Sequence, residues 1–295
     1  MTPSTMSPLL RNACSFLFVP AHQPERLTKA LASGADLVIA DWEDAVAPGA
    51  KADARRALEA AVQALPPAQR ARLLVRTNAT GTAWFTADVQ ALARLVQLGV
   101  AGAVVPKADH PATLQQLAQV AGPHCALVPL IESVAGLDAV DALAQVPQVV
   151  RLAFGHLDFQ VDAGMQCGPD EGELLPTRMA LVMASRRAAL AAPIDGVTVD
   201  TRDPARTAAD SQRALRMGFG GKLCIHPAQL ATVHQVFAPS ATAVAQAQAV
   251  VQAMADAAGG VCTVDGKMVD APVLQLAQRT LQRHAWAQQR TTPTA

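Results

Sequence analysis

Residues able to do acid–base or ligand chemistry recur in this sequence directly after short apolar runs. The runs are followed by Asp41-Trp42-Glu43-Asp44, Arg76-Thr77-Asn78, Pro106-Lys107, Glu132-Ser133, Gly155-His156-Leu157-Asp158, Asp200 and His226-Pro227. Four or more carboxylates gathered on one rim cannot all stay charged without a cation. Glu132 and Asp158 would offer such a cation two hard oxygen ligands. That suits Mg²⁺, which accepts one or two protein carboxylates and fills its octahedron with water and substrate oxygens. The same carboxylates could instead bond loop amides or arginines, and residue types alone leave that choice open. Arg76 has the same two uses, as a salt-bridge partner or as a bidentate clamp on a substrate carboxylate. Lys107 could serve as a Schiff-base nucleophile, but an acidic mouth would keep its ammonium charged, so a structural or phosphate-binding role is preferred. His22, His156 and His226 read either as site donors or as histidines satisfied at loop and helix starts.

These residues need elements that aim them at one place. The apolar runs are Cys14–Val19, Leu37–Ala40, Leu73–Val75, Ala103–Val105, Ala126–Ile131, Val150–Phe154, Ile194–Thr198 and Leu223–Ile225. Each is short and apolar on both faces, as a strand in a covered parallel sheet must be. Amphipathic stretches lie between them: Pro24–Ser33, Ala50–Ala64, Trp84–Gln97, Pro111–Val120, Val134–Gln145, Glu173–Leu190 and Pro204–Met217, with an eighth starting after His226-Pro227. Eight strand–helix units predict a (β/α)8 TIM barrel, whose chemistry sits at the C-terminal ends of its strands. A doubly wound sheet would need a Gly-rich turn after its first strand, and Pro20–Glu25 is not one. Residues 1–13 are expected to be loosely held, 14–238 to form the barrel, and 239–295 to form an extension. In that extension Ser240–Ala257 and Ala271–Gln289 read as helices around a Gly-flanked turn or hairpin, a lid and oligomer contact.

Composition narrows the field further. With 24 Lys plus Arg against 24 Asp plus Glu, the net charge is zero, which excludes a generally basic nucleic-acid surface; 3% aromatics, with no tyrosine, argue against a base-stacking platform. The five cysteines, Cys14, Cys125, Cys167, Cys224 and Cys262, have neither disulfide-scaffold nor zinc-ligand spacing. No signal-peptide pattern or membrane-length apolar run is present, so a cytoplasmic protein without nucleic-acid or membrane partners is expected. Nucleophile-elbow and P-loop patterns are also absent.

One ordered series of motifs carries a family resemblance. It runs Ser15–Pro20 (SFLFVP), Pro24–Arg26 (PER), Gly34–Asp36 (GAD), Asp41–Val46 (DWEDAV), Val75–Asn78 (VRTN), Val105–Lys107 (VPK), Pro129–Ser133 (PLIES), Leu152–Gly155 (LAFG) and Asp158-Phe159. It continues through Pro193–Val197 (PIDGV), Gly218–Lys222 (GFGGK), Ile225–Gln229 (IHPAQ) and Val264–Pro272 (VDGKMVDAP). With these motifs the chain resembles the citrate lyase β-subunit-like (CitE-like) branch of the HpcH/HpaI aldolase family, near malyl-CoA and citramalyl-CoA lyases.

The resemblance implies a TIM-barrel, Mg²⁺-dependent carbon–carbon lyase acting on CoA thioesters of hydroxy acids, yielding acetyl-CoA and a 2-oxoacid. It makes Glu132 and Asp158 the metal ligands, Arg76 the clamp on the oxoacid carboxylate, and Glu132 a further wall of that site. Asp270 matches an acid/base aspartate that some family lyases receive from a neighbouring subunit, which implies a homo-oligomer, trimer or hexamer. Glu43 takes a catalytic or water-holding place, and Asp41, Asp44 and Lys107 support it. Two other functions stand beside this one: the β-chain of a citrate lyase complex using an acyl-carrier-protein thioester, and a non-catalytic oxoacid-binding relative. Departures from the family pattern fall at Ala21, Gln23, Trp42 and His156, where Gly, a basic residue, Leu and a small residue are usual. The first two bear on the thioester handle. Trp42 and His156 are expected to flank the metal site and reshape the acyl pocket.

Overall fold

Eight short strands, all parallel, close on themselves in chain order: β1 (Ser15–Pro20), β2 (Leu37–Asp41), β3 (Leu73–Arg76), β4 (Gly102–Val105), β5 (Ala126–Ile131), β6 (Ala153–Phe154), β7 (Ile194–Asp195) and β8 (Gly221–Cys224). β8 pairs back onto β1 through Ser15–Lys222, Phe16–Leu223 and Leu17–Cys224. This is the expected (β/α)8 barrel. The computed structural model describes residues 7–257 and 260–291.

Strand side chains alternate in direction, and that period of two decides what fills the barrel and what rises from it. Phe16, Leu37, Ile39, Leu74, Val104, Val128, Leu130, Ala153, Ile194 and Leu223 share one buried cluster inside the strands. Two residues on from members of that set come Asp41, Arg76 and Glu132. The register of the apolar core therefore aims these polar residues at the C-terminal mouth. At the opposite end the helix Pro8–Asn12 adds Leu10, 4% exposed, to the same cluster, so the part of the 1–13 stretch that is described carries packed structure.

The crossover helices bury one face each. Pro24–Ala32 turns Leu27, Ala30 and Leu31 inward, and Phe85–Gln97 turns Val89, Leu92 and Leu95 inward, the three-and-four spacing of an amphipathic helix. Pro204–Met217 starts with Asp203 accepting the Arg206 amide hydrogen at 2.9 Å and stops at Gly218, whose φ of 100° is left-handed.

Differences from expectation cluster at the sixth and seventh strands. The run Val150–Phe154 shortens to the two ladder residues Ala153 and Phe154, and upstream of them the Arg151 guanidinium donates to the carbonyls of Ala192 and Ala13. The run Ile194–Thr198 leaves the ladder after Asp195: Lys222 Nζ donates to the Gly196 carbonyl at 2.6 Å, and Gln229 Nε2 donates to that of Thr198 at 2.8 Å. An unexpected helix, His156–Asp162, follows β6 directly. His156 and Asp158 thus stand on a helix's first turn and not at a strand end.

The chain divides into two compact units after Val233. In the second, the helices Ala241–Asp256 and Ala271–Thr291 flank an antiparallel hairpin of β9 (Cys262–Val264) and β10 (Lys267–Val269). Asp265 and Gly266 both have positive φ, 50° and 73°, as a two-residue turn matching the twist of its strands requires. Its core is Ala247, Val250, Met254, Val269 and Ala277. Among the described residues no helix is long and apolar enough to cross a membrane.

Candidate active site

The barrel mouth holds a cavity of about 460 Å³ lined by Phe18, Asp41, Asp44, Arg76, Glu132 and Asp158, together with His156, Val197 and Ile225. Arg76 dominates one half. Its Nε and Nη2 donate to the two oxygens of Asp41 at 2.7 and 2.6 Å, a bidentate fork, while Nη1 lies 2.9 Å from Glu43 and 3.1 Å from Asp44. The guanidinium also covers the Phe18 ring at 4.9 Å. Burial works against its charge, but the bonds and charge of Asp41, then Glu43 and Asp44, outweigh that and hold Arg76 above its ordinary pKa. Asp41 has no capacity left for a ligand, because it also accepts the amide hydrogens of Glu43 and Ala45. It orients Arg76 and shapes the loop at residues 42–45. Asp44 is largely exposed and Glu43 mostly covered, at 73% and 13% of their side chains. Burial pushes Glu43 up to about 7, with Arg76 opposing and Asp44 and Asp41 adding to the rise.

Glu132 forms the other half. It is 4% exposed, and its Oε1 accepts the Lys107 amide hydrogen at 2.8 Å. Lys107 therefore acts through its backbone: a left-handed φ of 45° turns the N–H toward Glu132 while the side chain is exposed. On the opposite side the Glu132 carboxylate lies against Gly155, where a Cβ would stand 2.5 Å from Oε2. Burial first, then repulsion from Glu43 and Asp158, pushes Glu132 up to about 8 against the Lys107 bond and Arg76. Asp158 approaches from the first turn of the helix His156–Asp162, exposed at the cavity rim. Glu132 and Asp158 thus repel one another, and the Arg76 guanidinium is already shared among Asp41, Glu43 and Asp44. A small cation between them would cancel that repulsion and find only oxygen donors.

Other expected residues have different places. Asp270 lies in the second unit, where its Oδ1 accepts the Val273 amide hydrogen at 3.2 Å at the start of the helix Ala271–Thr291. Trp42 does not flank the cavity; it is fully buried, and its neighbourhood is structural, since its carbonyl accepts from Lys51 Nζ and Asn78 Nδ2. His226 is a helix-start histidine: its Nδ1 accepts the Ala228 amide hydrogen while Gln229 Oε1 accepts from Ile225 and His226. His156 does line the cavity and is 3% exposed. Burial lowers its pKa against the pull of Glu171 and Asp195, which favours the uncharged ring.

Sequence reading missed Glu171 and Asp88. Glu171 gathers Arg178 at 2.5 Å, Arg213 at 2.8 Å and Arg206 at 3.4 Å behind His156. Asp88, fully buried, accepts from Arg55 and from the backbone and side chain of Asn78, so it ties down the chain after Arg76. Each partner set includes residues more than thirty positions away, Arg206 and Arg213 for Glu171 and Arg55 for Asp88, so no local spacing announces the whole cluster.

Comparison with known proteins gives the same frame. Residues 14–227 match the family model described as HpcH/HpaI aldolase/citrate lyase. A citrate lyase subunit beta-like protein of Deinococcus radiodurans is 35% identical over 92% of this chain and 96% of its own. A (3S)-malyl-CoA thioesterase of Cereibacter sphaeroides is 31% identical over 90% of this chain and 93% of its own. Among solved structures, the protein CitE of Mycobacterium tuberculosis, in complex with magnesium, acetoacetate and coenzyme A, superposes with a TM-score of 0.80 at 31% identity, covering 93% of this chain and 99% of that one.

Proposed function

The chain belongs to the HpcH/HpaI aldolase/citrate lyase family, and from that premise we propose that it is a Mg²⁺-dependent lyase that cleaves, or forms, a 3-hydroxyacyl-CoA thioester such as malyl-, citramalyl- or citryl-CoA. The products of cleavage are acetyl-CoA and a 2-oxoacid. The observation that carries the reading is one cavity holding a half-buried arginine and a separate, mutually repelling carboxylate pair. A 2-oxoacid presents the complement: a carboxylate for the guanidinium and a polarisable carbonyl. The magnesium in the CitE structure supports the choice of metal.

Glu132 and Asp158 would hold Mg²⁺, which supplies Lewis-acid polarisation of the oxoacid carbonyl. Arg76, kept in plane by Asp41, holds the oxoacid carboxylate through the Nη1 edge now shared with Glu43 and Asp44, fixing the reacting carbon in place. In the condensation direction a base removes a proton from the carbon next to the thioester carbonyl, the freed electron pair attacks the oxoacid carbonyl carbon, and a proton reaches the alkoxide oxygen so formed, giving the hydroxyl. Cleavage reverses each transfer. Asp270, delivered from a neighbouring subunit, is the proposed acid/base. Glu43, pushed up to about 7, can hold or release a proton beside Arg76 near neutrality.

Purified protein incubated with Mg²⁺ and malyl-, citramalyl- or citryl-CoA should release acetyl-CoA and the matching oxoacid, and chelation should stop it. A reaction needing an acyl-carrier protein would move the assignment to a citrate lyase β-chain, and oxoacid binding without turnover to a non-catalytic relative. The thioesterase among the relatives favours one second reading, hydrolysis. It would leave free CoA and the intact hydroxy acid, with no oxoacid.

A further inference from the structure

Behind the mouth cavity lies a second one, of about 450 Å³, bounded by Gln160, Glu171, Thr198, Val199 and Arg206. Three residues line both cavities: His156, Leu157 and Val197. Of these, Leu157 is 44% exposed and Val197 half-buried, so the buried part of the partition is the His156 ring.

That ring is held on several sides. A Cβ on Gly196 would stand 2.1 Å from Nδ1, so the imidazole lies directly on bare backbone at the end of β7. The Phe154 ring lies 6.1 Å away, tilted by 55°. Nε2 lies 3.6 Å from Glu171 Oε1, and Glu171 is itself gripped by three arginines. Rotating the ring would require moving a wall of ion pairs.

We propose that His156 sets the length of the acid the mouth accepts, closing its β6–β7 end against the space behind. The inference rests on the reading that the mouth binds a 2-oxoacid between Arg76 and a cation. Arg76 stands on β3, Glu132 follows β5 and Asp158 follows β6, so a ligand spanning clamp and cation points its tail toward β6–β7. The tail then meets His156. Short 2-oxoacids fit in front of it and longer linear ones collide. A small side chain at position 156 would join the two cavities.

Calorimetry with Mg²⁺ and glyoxylate, pyruvate, 2-oxobutanoate or 2-oxohexanoate tests this on the wild type, His156→Ala and His156→Gly. In the wild type 2-oxohexanoate should bind about tenfold or more weaker than pyruvate, the scale on which a pocket wall rejects extra methylenes. In the variants the gap should close to about threefold. Wild-type affinity that does not fall with chain length overturns the proposal without any variant, and so does a folded variant that keeps the wild-type gap. If the wild type binds none of the four acids, the oxoacid reading fails by itself. The partition is then decided by a crystal structure of His156→Gly: one continuous cavity supports it, and collapse of Phe154 or Leu157 into the gap overturns it.

Discussion

Arg76 is a salt-bridge partner in the structure, and the geometry of its guanidinium bears on whether it could also serve as the proposed clamp. Salt-bridge partner and substrate clamp read as alternatives in the sequence, but the guanidinium has two edges. Asp41 occupies one with a bidentate fork, and Glu43 and Asp44 share the other. The first edge is a brace, and the second is the one the proposed function assigns to a ligand carboxylate. Asp41→Asn should therefore weaken orientation more than chemistry. We expect KM for the oxoacid to rise on the order of tenfold, about 1.4 kcal/mol, with a smaller change in kcat. Steady-state kinetics in the condensation direction checks this, and an unchanged KM removes Asp41 from the positioning of Arg76. Stability should fall by about 3 kcal/mol in urea unfolding, because one member of a buried ion pair loses its charge.

At the scale of elements, the β6–β8 sector departs most from the apolar strand pattern. Asp195 on β7 is fully buried; Arg178 Nε donates to its Oδ1 at 3.0 Å, and Lys222 on β8 lies in the same interior. Burial raises the Asp195 pKa, but Lys222 and Arg178 outweigh it and hold it below its ordinary value. A carboxylate lowered in the fold adds stability above its unfolded pKa, about 3.9, and loses that contribution as pH falls through the folded one. Asp195→Asn should hence cost most near neutrality. The gap in melting temperature between wild type and variant should narrow from about pH 6 to about pH 3. A constant gap across that range would mean that Asp195 acts by shape and not by charge.

For the whole molecule, the question is where the acid/base comes from. Asp270 is a helix-start residue of a unit separate from the barrel, and the proposed mechanism takes it from another copy of the chain. Mixing Asp270→Asn protein with Glu132→Gln protein tests this directly. Each alone should lose at least about a hundredfold in turnover, the scale of a missing acid–base group. Subunit exchange should restore part of it, since some mixed sites would pair an intact mouth with an intact Asp270. Activity that stays at the level of the separate variants would place Asp270 outside a shared site.

Barrel class, strand order and the ring of ionisable residues were legible in the chain, because a period of two puts Asp41, Arg76 and Glu132 in register with the core residues Ile39, Leu74 and Leu130. A Gly-flanked turn or hairpin between the last two helices was legible for a local reason, and the structure puts its left-handed residues at Asp265 and Gly266. Only the tertiary structure decided that the sixth strand starts late, at Ala153, that Lys107 donates its amide to Glu132, that Trp42 is fully buried outside the cavity lining, and that Glu171 stands against His156. In each case the partner is distant in sequence. Burial and charge then select a single arrangement from several that local pattern permits, and neither exists until the barrel has closed.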